Sequence, residues 1–267
     1  MTTDLAAKVI WITGASSGIG AALAVKLRGV GARLILSARR VELLEEVRHR
    51  CGGEGVALLP LDLARAETLQ EKVNAARAVF GTIDVLVNNA GITQRSAAVE
   101  TTLSTVRTIM ETNFFGTVGL TTEVVRSMIE EKRRGQVVVV TSLVGKFATP
   151  QRSTYSASKH ALHGYFDALR AEVAGHGIGV LLVVPGFIRT ELSRTALTAD
   201  GSHYGVSDTA LERGMSPDLA ADRIVAAMRT GREEFTVGLD ARTWLALKLK
   251  RFAPGLLSRM LRTAKVT

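Results

Sequence analysis

The chain alternates between short apolar runs and longer stretches in which apolar residues recur every three or four positions. The apolar runs are rich in β-branched residues and lack polar alternation, which predicts strands buried on both faces. We place strands at 8–13, 33–37, 56–60, 83–87, 136–142, 178–184 and 234–237. The periodic stretches predict helices ending near Arg28, then at 41–51, 64–80, 103–133, 153–174 and 217–228.

This regular alternation predicts an α/β protein. We expect one doubly wound, Rossmann-type parallel sheet of about seven strands, with helices on both faces, over residues 1–240. Within it, residues 191–216 are polar, weakly periodic and glycine-containing, which predicts a mobile lid over the substrate. Residues 241–267 form a separate C-terminal extension that is basic and amphipathic.

Composition narrows the class of protein. The 267 residues are 46% hydrophobic and 22% charged, an ordinary globular balance. A single cysteine, Cys51, excludes an internal disulfide. Only seven residues precede the first apolar run, and no run approaches the roughly 20 residues that span a bilayer. We therefore expect a soluble, cytoplasmic protein.

The net charge of +9 is concentrated at the C-terminus. After Asp240 there are seven basic residues and no acidic one, so the rest of the chain carries only +2. Apolar residues recur there at helical spacing, which predicts two short amphipathic helices that either lie on an anionic membrane or cover the substrate cleft or a subunit interface. Nucleic acid is not an expected partner, because the extension has few aromatic residues and no recognisable reader motif.

A glycine-rich turn follows the first strand. Gly14, Gly18 and Gly20 allow close approach of the backbone to a pyrophosphate, and the helix that follows presents its N-terminus there. Because the turn lies at the carboxyl end of a strand in a parallel sheet, where such folds bind ligands, we predict a dinucleotide site.

The residues after the second strand predict which dinucleotide binds. An acidic residue at this point would hold a free ribose hydroxyl, but the sequence has Ser37, Arg39 and Arg40 and no carboxylate. Guanidinium and hydroxyl donors suit a phosphate, so we predict NADP(H). Asp62, after the third strand, is placed to hydrogen-bond an adenine amino group.

Tyr155 and Lys159 are four residues apart in a predicted helix for which Ser153 is a suitable N-cap. This spacing places the phenol and the ammonium on one face. A nearby cation favours the phenolate, so we expect the pKa of Tyr155 to move toward neutrality, as a proton donor to a carbonyl requires.

The motifs together are similar to those of the short-chain dehydrogenase/reductase family. They are Thr13–Gly20, Asn88–Gly91, Asn113 with Gly116, Ser142, Tyr155 with Lys159, and Pro185-Gly186, in order over residues 8–190. Residues 91–173 most resemble the branch of the 11β-hydroxysteroid dehydrogenases and the dehydrogenase/reductase member 7 enzymes.

The resemblance implies a role for each matched residue. Tyr155 is the acid or base, Lys159 lowers its pKa and binds the nicotinamide ribose, Ser142 orients the substrate carbonyl, and Asn113 holds a water next to Lys159. The implied cofactor site comprises Gly14, Ser16, Ser17, Gly18, Ile19, Gly20, Ser37, Arg39, Arg40, Asp62, Leu63, Asn89, Ala90, Gly91, Tyr155, Lys159, Pro185, Gly186, Ile188 and Thr190. A homodimer or homotetramer is also implied, assembled through the helices of Asn113 and Tyr155. No metal site is expected.

The substrate pocket is predicted to be mostly apolar, which suits a lipophilic ketone or secondary alcohol, steroid-like or acyl-like. Its expected residues are Leu143, Val144, Phe147, Phe187 and Leu192, with Gln94, Arg95 and Arg152 as polar exceptions. Two alternatives stay open: a 3-oxoacyl reductase of the fatty-acid type, and a non-catalytic protein that senses NADP(H).

Overall fold

The computed structural model describes residues 4–206 and 212–263 and contains one seven-stranded parallel sheet in that part of the chain. The strands, in the order β3-β2-β1-β4-β5-β6-β7, are β1 (Val9–Thr13), β2 (Arg33–Ser37), β3 (Val56–Leu58), β4 (Val85–Asn88), β5 (Gly135–Val140), β6 (Ile178–Pro185) and β7 (Glu234–Val237). The predicted doubly wound parallel sheet is therefore confirmed.

Helices connect successive strands and cover both faces of the sheet. They are α1 (Gly18–Gly29), α2 (Val41–Arg50), α3 (Leu69–Phe80), α4 (Leu103–Met110), α5 (Gly116–Glu130), α6 (Ser153–Val173), α7 (Pro217–Arg229), α8 (Ala241–Phe252) and α9 (Pro254–Thr263). The single helix predicted for residues 103–133 is wrong in detail: a π-helical turn, Glu111–Phe115, separates α4 from α5.

The apolar runs are continuous because each central strand is covered on both sides. In β1, Ile10 and Ile12 belong to the core shared with α1 and α7, whereas Val9 and Trp11 belong to the core shared with α3, α5 and α6. All four side chains are completely buried. A strand pattern without polar alternation is the consequence of this three-layer packing.

The order of the strands determines where a ligand can bind. The chain runs from β1 outward to β3, then returns to the other side of β1 with β4 and continues to β7. The carboxyl ends of β1 and β4 therefore lie at the point where the winding reverses. In open parallel sheets this point is a crevice that receives ligands.

The described parts of the lid and of the C-terminal extension pack against the domain. Leu197 of the lid forms a parallel bridge with Gln94, and Met215 forms one with Ile188. Residues 207–211 of the predicted lid lie outside the described part of the chain, and the mobility of the lid stays a prediction. In the extension, Leu257 of α9 is buried against Leu143, Phe147 and Val184. In the described chain, every helix is too short or too polar to cross a bilayer.

Candidate active site

The glycine turn between β1 and α1 is shaped by close packing. Gly14 and Gly18 have φ of 64° and 54°, a left-handed region that favours glycine. A Cβ on Gly14 would lie 2.7 Å from Ala90 Cα, and one on Gly20 would collide with the Gly14 carbonyl oxygen. Ser17 is the N-cap residue of α1, and its side chain makes no capping hydrogen bond. The backbone at the start of α1 therefore lies open to the cleft.

The loop after β4 is joined to this turn by hydrogen bonds. The Asn89 side-chain amide donates to the carbonyl oxygens of Thr13 (3.1 Å) and Gly14 (3.0 Å). In return, the Thr13 hydroxyl accepts from the backbone N–H groups of Asn89 (3.1 Å) and Ala90 (3.2 Å). The predicted cofactor residues Asn89, Ala90 and Gly91 thus line the cleft directly beside the glycine turn.

The end of β2 presents two arginines to the same cleft. Arg39 and Arg40 are exposed, line the cavity and form no ion pair within the described residues. Ser37 also lines it, but the expectation that its hydroxyl donates to a phosphate is wrong. That hydroxyl is fully buried, donates to the Leu59 carbonyl oxygen (2.6 Å) and accepts from the Trp11 indole N–H (2.8 Å).

Tyr155, Ser142 and Lys159 come together at the carboxyl end of β5, as the sequence predicts. Tyr155 and Lys159 lie on the buried face of α6, and Lys159 Nζ is 5.8 Å from the centre of the Tyr155 ring. The Ser142 side chain lies within reach of the Tyr155 phenol and favours its ionised form. Lys159 Nζ donates to the Val140 carbonyl oxygen at 2.9 Å, which leaves two of its three N–H donors for a ligand.

Burial dominates the ionisation of both groups. It raises the pKa of the Tyr155 phenol, while the Ser142 side chain and the charge of Arg152 act in the opposite direction. The predicted direction was wrong, because the phenol is buried and the cation that acts on it is Arg152 rather than Lys159. Burial also lowers the pKa of the Lys159 ammonium to about 8.

Asn113 occupies the π-helical turn, a local structure often found at functional sites. It is fully buried. Its side-chain amide donates to the Ile92 carbonyl oxygen (2.9 Å) and the Ser158 hydroxyl (3.0 Å), and its oxygen accepts from the Ile92 N–H (2.8 Å). A Cβ on Gly91 would lie 3.3 Å from Asn113 Oδ1 and 3.5 Å from Lys159 Nζ. Asn113 therefore holds the loop after β4 against α6, the helix that carries Tyr155 and Lys159.

The first turn of α6 is capped by a residue distant in sequence. The N-cap position is Arg152, which makes no side-chain capping bond, so the prediction for Ser153 is wrong. Gln94 Oε1 accepts from the Thr154 N–H (2.9 Å), and Gln94 Nε2 donates to the hydroxyls of Thr101 (2.8 Å) and Ser153 (3.3 Å). Gln94 is fully buried and does not line the cavity, so its predicted contact with substrate is also wrong.

One cavity of about 820 Å³ connects these groups. It begins at the glycine turn, passes Tyr155 and Lys159, and ends between the lid and the C-terminal extension. All the expected apolar residues line its far end, namely Leu143, Val144, Phe147, Phe187 and Leu192. Arg95 and Arg152 also line it, as predicted. The loop after β6 closes the near end, because a Cβ on Gly18 would lie 3.0 Å from Thr190 Cγ2.

The lining residues fit a nicotinamide dinucleotide. An open helix N-terminus among glycines suits a pyrophosphate, Arg39 and Arg40 suit a phosphate, and Lys159 retains donors beside Tyr155. The remaining predicted residues, including Ser16, Ile19, Asp62, Leu63, Pro185, Gly186 and Ile188, line the same cavity, apart from Gly20, which packs directly behind the turn. The described residues contain no group of three or more metal-ligating side chains.

The cavity also contains residues that the sequence did not single out. Thr108 and Thr112 precede Asn113 and line the cavity, and their spacing of four on a helical stretch was the signal available. His203 of the lid, with Thr243 and Leu261 of the extension, lines the far end. The apolar spacing of the extension left open that Leu261 covers the cleft, but no pattern identifies His203 or Thr243, because the packing of the lid and the extension brings them there.

Comparisons with known proteins agree with this geometry. Residues 8–200 match the family model of the short chain dehydrogenases. The chain is 41% identical over 259 residues to a dehydrogenase/reductase SDR family protein 7-like of Drosophila melanogaster, covering 95% of this chain and 79% of that protein. It is also 41% identical over 261 residues to dehydrogenase/reductase SDR family member 7B of Bos taurus, covering 95% and 80%.

A solved structure shares the architecture over the whole chain. The short chain dehydrogenase of Burkholderia cenocepacia, determined in complex with NADP, superposes with a TM-score of 0.80 at 26% identity, covering 98% of this chain and 100% of that one. The chain therefore belongs to the short-chain dehydrogenase/reductase family of oxidoreductases, in the branch of the member 7 and 7B proteins.

Proposed function

We propose that this protein is an NADP(H)-dependent oxidoreductase that interconverts a lipophilic ketone and the corresponding secondary alcohol. The observation that carries the proposal is one continuous cavity, which joins the glycine turn and Arg39 to the cluster of Tyr155, Ser142 and Lys159 and to an apolar far end. The structure of the Burkholderia cenocepacia relative in complex with NADP supports a nicotinamide dinucleotide as the cofactor.

The cofactor, when bound, supplies or accepts the hydride. Tyr155 transfers the proton: its phenol donates to the substrate oxygen in reduction and receives the proton in oxidation. The Ser142 hydroxyl, which lies within reach of the phenol, orients that oxygen and stabilises charge developing on it. The positive charge of Arg152 favours the phenolate against the effect of burial.

Turnover separates this proposal from a protein that only senses NADP(H). The purified protein is mixed with NADPH and a panel of lipophilic ketones, and NADPH oxidation is followed by absorbance. We expect turnover with at least one ketone, and a fall of at least a hundredfold for Tyr155→Phe with NADPH binding retained. Tight NADPH binding without oxidation anywhere in the panel would instead support the sensor.

The cofactor assignment has its own test. Each arginine–phosphate contact is charge-assisted, so Arg39→Met should weaken NADPH binding on the order of tenfold or more while NADH binding changes little. Arg50→Met, at the end of α2, is the matched control because Arg50 is exposed and outside the cavity. Equal losses for the two cofactors would refute recognition of the 2′-phosphate.

The fatty-acid reductase alternative receives no support from the surface of α6. Such reductases usually dock their carrier protein with an arginine directly before a glutamate in this helix, whereas this chain has Arg170 two residues before Glu172. Arg170 is also engaged: it donates to the carbonyl oxygens of Val180 (3.0 Å) and Glu233 (3.2 Å) and to Asp167 (2.7 Å). This arginine instead joins α6 to β6 and to the segment before β7. Assembly into dimers or tetramers and a cytoplasmic location stay predictions.

A further inference from the structure

The C-terminal helices α8 and α9 have an inner face that belongs to the cavity. Leu257 is buried with Leu143 and Phe147, and Leu247, Leu249 and Leu261 pack against the same cluster. Thr243 and Leu261 line the far end of the cavity. The inner face therefore explains some of the apolar residues of the extension, as one of the alternatives from the sequence anticipated.

The outer face of the same two helices carries large apolar side chains that the inner packing does not explain. Phe252 is 77% exposed and Trp244 54%, and Leu245, Leu256 and Met260 are each about half exposed. Five such residues lie within 17 positions of the chain, where single exposed apolar residues would need no explanation. This density of large exposed apolar side chains on two adjoining helices indicates a partner.

Cations surround these apolar side chains. Arg242, Lys248, Lys250, Arg251, Arg259 and Arg262 are all exposed, and none of them forms an ion pair within residues 4–206 and 212–263. Lys248 Nζ lies 5.4 Å from the centre of the Trp244 ring. No acidic residue follows Asp240, so nothing in the extension neutralises this charge.

We propose that the outer face of α8 and α9 docks on the surface of an anionic phospholipid bilayer. Lipid offers both of the required chemistries, since headgroup phosphates and serine carboxylates meet the cations while the acyl boundary receives Trp244 and Phe252. Nucleic acid would satisfy the charge but not the apolar side chains. A second copy of this chain would bring six cations against six cations.

Docking in this orientation would connect the membrane to the substrate. The helices that meet lipid with their outer face line the far end of the cavity with their inner face. A lipophilic substrate dissolved in the bilayer would therefore enter next to Tyr155 without crossing much water. This consequence rests on the proposed function, whereas membrane binding itself does not.

The test measures co-sedimentation of the full-length protein with vesicles of phosphatidylcholine alone and with vesicles containing about one third phosphatidylserine. Truncation at Asp240 is avoided because it would uncover Leu143 and Phe147. The charge variant is Lys248→Gln with Lys250→Gln and Arg259→Gln. The matched control removes three exposed cations from other faces, as Arg107→Gln with Lys132→Gln and Arg223→Gln.

We expect binding to the anionic vesicles only, and a fall on the order of a hundredfold for the charge variant, since each basic residue near such a surface contributes roughly fivefold. The control variant should bind within about twofold of the unchanged protein. Phe252→Ser with Met260→Ser should also weaken binding, and that loss should persist at high salt.

Three results would overturn the proposal: no sedimentation with anionic vesicles at low salt, equal sedimentation with both vesicle types, or equal losses in the charge and control variants. Retention of the protein on immobilised polyglutamate without vesicle binding would identify an acidic protein as the partner instead. Since none of the substitutions touches the cavity lining, NADPH oxidation by the variants in the absence of vesicles reports separately on the proposed reaction.

Discussion

Replacing Lys159 with methionine should make the protein more stable while removing its activity. Lys159 is only 4% exposed, its ammonium has one hydrogen-bond acceptor, the Val140 carbonyl oxygen, and burial lowers its pKa to about 8. A buried cation with one partner opposes folding. Methionine fills a similar volume without the charge. Lys159→Met therefore tests whether the buried ammonium lowers the free energy of unfolding of the native protein.

The magnitude follows from the pKa. A decrease from 10.5 to about 8 corresponds to about 3 kcal/mol, since one pKa unit equals about 1.4 kcal/mol. Leaving the Val140 carbonyl oxygen without its donor costs about 1 kcal/mol. We therefore expect Lys159→Met to raise the free energy of unfolding by about 2 kcal/mol near neutral pH.

The sign of the pH dependence is a sharper test. Below about pH 8 the ammonium is charged in both the folded and the unfolded chain, and the full cost of its burial is present. As pH rises from 8 toward 10.5, the folded chain loses this proton first, so the native protein gains stability relative to the variant. At about pH 9.5 the advantage of Lys159→Met should have fallen by about 2 kcal/mol, to near zero.

Urea unfolding of both proteins at the two pH values, followed by far-UV circular dichroism, measures these differences. Comparing the variant with the native chain at each pH cancels the titration of all other groups. Lys250→Met on exposed α8 is the control, and it should shift stability by less than about 0.5 kcal/mol at both pH values. A destabilised Lys159→Met protein near pH 7, or an advantage that does not change with pH, would refute the reasoning.

Three further substitutions test close packing and hydrogen bonding, two of them next to the site and one at the opposite edge of the sheet. Gly20→Ala, whose Cβ would collide with the Gly14 carbonyl oxygen, should weaken NADPH binding at least tenfold by fluorescence titration; an unchanged dissociation constant would contradict the close packing. Gln94→Met leaves the Thr154 N–H at the start of α6 without an acceptor, so it should lower the free energy of unfolding by about 2 kcal/mol, unlike an exposed substitution such as Gln70→Met. Burial raises the pKa of Asp84, but hydrogen bonds from the Val9 N–H and Arg133 outweigh it and lower that pKa. The stability lost in Asp84→Asn should therefore be largest near neutral pH and decrease as pH falls below about 4. A constant loss down to pH 2 would be inconsistent with this linkage.

Most of the sheet was predictable because its central strands are nearly continuous apolar runs. A strand that is buried on both faces can be identified from its apolar residues alone, without knowing which residues it pairs with. Strands β1, β2, β5 and β6 are of this kind. The glycine turn was predictable because positive φ and close backbone approach leave few residue types. The i, i+4 relation of Tyr155 and Lys159 was predictable because helix geometry alone places them on one face.

The errors share a physical cause. The burial that raises the pKa of Tyr155, the buried hydroxyl of Ser37 and the capping role of Gln94 all depend on segments distant in sequence that pack against these residues. The π-helical turn around Asn113 likewise accompanies its hydrogen bonds to Ile92 and Ser158. No local pattern contains these partners, so no local pattern could have predicted them.

The amino-acid sequence by itself determined most of the secondary structure and the parallel sheet, because backbone geometry and apolar periodicity act over short stretches of chain. It also indicated the cluster of Ser142, Tyr155 and Lys159, through motifs shared with a known family. Only the tertiary structure decided how deeply that cluster is buried, which cation acts on Tyr155, and that the inner face of α8 and α9 completes the cavity. Burial and electrostatic coupling depend on what surrounds a group in space, and that arrangement exists only once the chain has folded.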